Sequence, residues 1–179
     1  MTVLLDPGGM DLVMQDRGDW GADPARYCPV SNNIKRRLIV HHSAGYRPRS
    51  STEEKVTLRN IQDFHFGRGW SDIAYNFGAH RYLGLTQLRG FFCLNGANTP
   101  ANDSTFSIVL LGHMSLNQIT DEEKNVILDL ADYLNIAPEA CPGGCAIGAH
   151  QDISATACPG DSTMEWLNAG HPRPKACVC

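Results

Sequence analysis

Three stretches of the chain carry side chains suited to metal binding or proton handling. His41-His42-Ser43-Ala44-Gly45 puts two histidines at the end of an apolar run. Asp72-Ile73-Ala74-Tyr75-Asn76-Phe77 sets a tyrosine between an acid and an amide, and His150 precedes Cys158-Pro159-Gly160 in a segment that reads as a loop. Two imidazoles and a thiolate are a mixed nitrogen and sulfur donor set that suits zinc. Three protein ligands leave the fourth position for water, which is the arrangement of a catalytic site. The His150–Cys158 interval is too long for the short-spacing zinc-finger pattern. Taken singly, each residue also has a plainer reading: a histidine satisfied in a core, or a cysteine buried as a small hydrophobe. Successive side chains on a strand point to opposite faces, so His41 and His42 are not expected to bind one ion together.

The other cysteines add less. Seven is an odd number (Cys28, Cys93, Cys141, Cys145, Cys158, Cys177 and Cys179), so they cannot all pair within the chain. Cys141 and Cys145 bracket Pro-Gly-Gly and are placed to pair across that turn. Their spacing is not the usual two-residue redox motif, and with Cys177 and Cys179 they match no standard zinc pattern. Reduced, unpaired thiols are the expectation for most of the seven.

The elements that must position these residues can be read from periodicity. Residues 1–30, rich in Gly, Asp and Pro, read as an irregular lead-in. Arg37 to His41 is an apolar, β-branched run that predicts a central strand ending at a Ser43-Ala44-Gly45 turn. Ser51, with Glu54 three residues on, opens a helix whose inward face is expected to carry Val56, Asn60, Ile61 and Phe64, with Gly67 and Gly69 stopping it. Residues 73–89 predict two strands joined by a hairpin, with His80 at its surface. Phe106 to Leu111 is a further strand. Thr120 and Glu123 form a capping box before a helix burying Val126, Ile127, Leu130, Tyr133 and Leu134. A last short helix starts near Asp161. Strands alternating with helices predict a single mixed α/β sheet flanked by helices. That gives one domain over residues 31–169 and a short tail at 170–179 containing Pro and Cys.

Composition is that of an ordinary globular protein: 179 residues, 42% hydrophobic, 19% charged and a formal net charge of -4. Lys and Arg are scattered, so no nucleic-acid partner is expected. No apolar stretch is long enough to span a bilayer, so no membrane insertion is expected. The first twenty residues carry four aspartates and no basic-then-apolar pattern, so no signal peptide is expected. The chain is then expected either to be made in the cytoplasm and carried to any external substrate by other means, or to have lost a leader.

The three stretches, in order and with matching gaps, resemble the N-acetylmuramoyl-L-alanine amidase family, which includes phage lysozyme-type amidases and animal peptidoglycan recognition proteins. The similarity runs from Asp19-Trp20-Gly21-Ala22 through Leu38–Gly45 and Gly69-Trp70-Ser71-Asp72-Ile73-Ala74-Tyr75-Asn76-Phe77 to Ala149-His150-Gln151-Asp152 and Cys158-Pro159-Gly160. The resemblance implies one catalytic Zn2+ bound by His41, His150 and Cys158, with Tyr75 and Thr156 as catalytic residues. It implies Trp70, His42 and Asn98 at the substrate groove, His42 in a supporting or packing position. Two departures bear on substrate preference. Gly96-Ala97-Asn98 stands where the family often has Gly-Ala-His, and Thr86-Gln87-Leu88-Arg89 where many members have Tyr-Glu-Gly-Arg.

The implied reaction is zinc-dependent hydrolysis of the amide between N-acetylmuramic acid and L-alanine of peptidoglycan. The setting it implies is that of a monomeric phage-type endolysin reaching the host cell wall by holin-assisted export. The alternatives are a non-catalytic peptidoglycan-binding module of the same fold and a cytoplasmic amidase acting on anhydro-muropeptides. Each ligand histidine is expected to give its other ring nitrogen to a partner, which the sequence does not name. Asp152, close to His150, has a loop role equally open to it.

Overall fold

The computed structural model describes residues 1–5, 11–30, 33–134 and 147–169. The N-terminal stretch, expected as irregular, is structured. β1 (Thr2–Leu5) and β2 (Asp11–Met14) pair antiparallel, and α1 (Arg17–Trp20) follows. Two of the aspartates there cap α1: the Asp16 carboxylate accepts from the Gly18 and Asp19 amides, and the Asp19 carboxylate accepts from the Asp16 amide. Trp20 is fully buried and its indole N–H donates to Gln87 O at 2.9 Å.

One five-stranded sheet carries the rest. β3 (Arg37–His42) lies between β6 (Thr105–Leu110) and β7 (Ile147–Ala149), parallel to both. β4 (Phe77–His80) runs parallel to β6, and β5 (Gly84–Gln87) pairs antiparallel with β4, giving the order β5-β4-β6-β3-β7. The strands at the centre are apolar throughout because both faces are covered. Period two then divides them. Leu38 and Val40 of β3, with Phe106, Ile108 and Leu110 of β6, join one core against α3 (Asp121–Tyr133) and α4 (Asp161–Asn168). Val109, on the other face, packs with Trp20 and with Leu58 of α2 (Ser51–Gly67). His41 follows the odd positions toward α2, and His42 the even ones.

α2 is capped by Ser50 rather than Ser51, and it buries Glu54, Leu58, Gln62 and His65. The expected face is therefore rotated: Val56 and Phe64 are exposed, at 41% and 61%. Apolar spacing misled because the buried polar residues all have partners. The Glu54 carboxylate accepts from the Tyr82 and Leu83 amides, Gln62 donates to Asp72, and His65 Nδ1 accepts from the Ala74 amide. α3 keeps the Thr120–Glu123 capping box and buries Ile127 and Leu130, with Val126, Tyr133 and Leu134 partly buried against the same core. His80, expected at the surface, is 1% exposed, and its ring lies where a Cβ on Gly78 would come within 2.1 Å of Nε2. Among the described residues no helix is long and apolar enough to cross a membrane.

Candidate metal centre and groove

His41 comes from β3, His150 from a single 3-10 turn (His150–Asp152) directly after β7, and Cys158 from the loop before α4. Their donor atoms all lie within 4.8 Å of one another. His41 Nδ1 is 3.7 Å from Cys158 Sγ, and the His41 and His150 ring centroids are 4.4 Å apart. Zinc–ligand lengths at a tetrahedral angle put a nitrogen and a sulfur donor about 3.6 Å apart, so the residues present fit this ion. His150 and Cys158 are held by the chain around them. The Asp152 carboxylate accepts from the Ala149 amide at 2.7 Å, and Gln151 N donates to Cys158 O at 3.1 Å. Gly160, with φ of +94°, lets the Cys158 loop approach the Met114–Ser115 backbone, where a Cβ would meet main-chain atoms at 2.7 and 2.8 Å.

Protonation suits a cation. Burial, with His150 close by, lowers the His41 pKa to about 3, and burial also lowers that of His150. Both imidazoles are therefore neutral at pH 7. Burial pushes the Cys158 thiol up to about 11, opposed by the His42 amide, which donates to Sγ at 3.3 Å. The thiol is therefore protonated at pH 7, and binding a metal there would displace its proton. Burial, together with Cys158, raises the Tyr75 pKa, so its hydroxyl stays a donor.

These residues open onto a cavity of about 320 Å³ whose walls include Trp70, Ala74, Tyr75, Gly96 and Thr156. Tyr75 is 5.4 Å from His41 between ring centroids. It is aimed there by its motif neighbours, which are braces. Asp72 is held by Arg17 at 2.7 Å and by Gln62 at 2.6 Å, and Asn76 bonds Gly90 O, Cys93 O and the Ser107 amide. Trp70 stacks on His65 at 4.6 Å. Thr156 Oγ1 accepts from the Cys158 amide at 3.2 Å, which leaves its hydroxyl hydrogen to point elsewhere.

Of the other two groove residues, Asn98 is relocated, while His42 packs beside the cavity. Asn98, expected to face substrate, is 0% exposed and sits behind the centre with Oδ1 2.6 Å from His41 Nε2. His42 touches the cavity but is 7% exposed; its Nδ1 accepts from the Met114 amide and its ring packs on His113. A disulfide joins Cys28 to Cys93, where free thiols were expected, and Cys158 is free. The proposed Cys141–Cys145 pairing and the tail lie outside the described residues. His65, which supports Trp70, had no sequence signal beyond being a histidine on a helix.

No family model matches the chain. Among curated proteins it is 26% identical over 168 residues to peptidoglycan-recognition protein SC2 of Drosophila melanogaster, covering 89% of each chain. It is 24% identical over 159 residues to peptidoglycan recognition protein 1 of Mus musculus, covering 86% of this chain and 85% of the relative. Among solved structures it superposes on wild-type Drosophila PGRP-LB with a TM-score of 0.77 at 24% identity, covering 92% of this chain and 98% of that one.

Proposed function

The chain is homologous in sequence and fold to the peptidoglycan recognition proteins, and from that premise we propose that it hydrolyses the amide joining N-acetylmuramic acid to L-alanine in peptidoglycan. The observation that carries the reading is the His41, His150 and Cys158 cluster on the cavity floor, beside Tyr75 and Thr156. With its hydrogen-bonded surroundings, that cluster makes a zinc-amidase active site. A zinc ion held there supplies Lewis acidity, which activates water and polarises a carbonyl.

The chain supplies the rest. Tyr75, kept protonated by burial, directs a hydroxyl hydrogen at the negative charge that develops on the lactyl carbonyl oxygen. Thr156 can add a second donor, since its oxygen already accepts from Cys158. Trp70, fixed by stacking on His65, forms a flat apolar wall along which the substrate lies. Human PGRP-IβC was solved with a glycosamyl muramyl pentapeptide, and this chain matches that structure with a TM-score of 0.78 at 21% identity. A muropeptide is accordingly the ligand proposed for this groove.

The finer setting, a phage-type endolysin working as a monomer on the host wall after holin-assisted export, is part of the proposal. The Cys28–Cys93 disulfide supports action outside the reducing cytoplasm. Digestion of purified peptidoglycan tests the reaction class. New N-terminal alanine without new reducing sugar ends is expected, and new reducing ends without free alanine amines would mean a glycosidase.

A further inference from the structure

We infer that Asn98 is the positioning residue that fixes the tautomer and orientation of His41 and so dedicates Nδ1 to the metal. The inference rests on the zinc reading above, but its geometry stands apart from the reaction. An amide side chain can be flipped by half a turn, and only its partners decide which end is oxygen. Here the partners leave no choice. The Thr105 hydroxyl donates its single hydrogen to Ala101 O at 2.6 Å, so Thr105 Oγ1 can only accept from Asn98, at 2.7 Å. Phe106 O, a carbonyl, also only accepts, at 3.2 Å. Both contacts require the Asn98 NH2 group on that side, which turns Oδ1 toward His41.

The consequence passes to the ring. Asn98 Oδ1 accepts, so His41 Nε2, 2.6 Å away, must carry the hydrogen. The lone pair is then on Nδ1, which faces Cys158 Sγ at 3.7 Å. Asn98 is itself fixed: its backbone amide donates to Asn95 Oδ1 and Asn102 Oδ1, and it has no exposed surface. A chain of one-way hydrogen bonds from β6 thus determines which nitrogen of a β3 histidine can bind a cation. Partners of this kind raise metal affinity by about 10- to 100-fold in known sites. The role belongs to the position where this chain has Asn98 and the resembled family often has a histidine.

Two measurements decide it. The first is nitrogen-15 NMR of the His41 ring in the unmodified, metal-free protein. A protonated Nε2 and a bare Nδ1 are expected, and a protonated Nδ1 would overturn the inference without touching the reaction. The second is zinc affinity by chelator competition. Asn98→Leu, which removes the acceptor, should bind zinc about 10- to 100-fold more weakly. Equal zinc affinity in a folded Asn98→Leu variant would refute the positioning role. If Asn98→Leu does not fold, the ring measurement on the parent still decides between the two tautomers. Failure of the parent to cleave peptidoglycan while it binds zinc with this tautomer would count against the proposed reaction alone.

Discussion

Cys158 is a thiol waiting for a cation, and that makes metal uptake depend on pH in a definite direction. Below about 11 the metal-free site holds the sulfur's proton, while His41 keeps its neutral form down to about 3 and His150 is shifted below its ordinary value of 6.5. Between pH 7 and 9 each zinc bound should therefore displace one proton, so that apparent affinity rises about tenfold per pH unit. Isothermal titration in buffers of different ionisation enthalpy measures that proton directly. A release of zero protons at pH 8 would remove Cys158 from the ligand set. At this scale the sequence was readable for residues defined by donor chemistry: His41, His150 and Cys158 converge as the resemblance implied. It was less readable for Asn98, because an amide beside a loop gives no sign whether it faces substrate or the back of a ligand. Only the acceptors Thr105 Oγ1 and Phe106 O, brought near by β6, settle that.

The elements place the site through polar braces rather than apolar pattern, which is why their identities were easier to read than their faces. β3 and β6 follow the apolar runs, β4 and β5 the hairpin expected between residues 73 and 89, and α3 its capping box. α2 does not show its buried face in its apolar residues, since that face is built on Glu54, Gln62 and His65, each bonded to a neighbouring loop or turn. The loop from Gly90 to Asn98 is braced in the same way: Asn76 holds Gly90 O and Cys93 O, Leu94 N donates to Pro29 O, and Gly96 N donates to Ala74 O. The Cys28–Cys93 disulfide, spanning a sequence separation of 65, ties that loop to the N-terminal segment. By the chain-entropy argument, opening a loop of that length costs about 4 kcal/mol of folding stability. A Cys28→Ser, Cys93→Ser double variant should show that loss in denaturant titration under non-reducing conditions. Stability within error of the parent would mean the hydrogen-bonded braces suffice. The pairing was not legible because the two cysteines are far apart in sequence and meet only through the fold.

The molecule as a whole buries several histidines in neutral form, and this sets its acid limit. His80 is the clearest case outside the metal centre: it is 1% exposed, neither ring nitrogen has a side-chain partner, and burial lowers its pKa to about 3. Its folded pKa lies below the unfolded value near 6.5, so the unfolded chain binds the extra proton. Stability is full above about 6.5 and declines as pH falls toward 3, by about 1.4 kcal/mol per pH unit for such a group. Metal-free protein should thus lose roughly 2 kcal/mol between pH 7 and 5 through His80 alone, and a folded His80→Leu variant should lose less. Equal unfolding free energies at the two pH values would contradict the buried, neutral assignment. The central claim, however, is the reaction. Mass spectrometry of material released from purified peptidoglycan, with the protein as prepared, stripped by chelator and reloaded with zinc, tests it most directly. Free stem peptides beginning with L-alanine are expected, lost on stripping and restored by zinc. Zinc bound at the site with no peptide released from any wall type would contradict it.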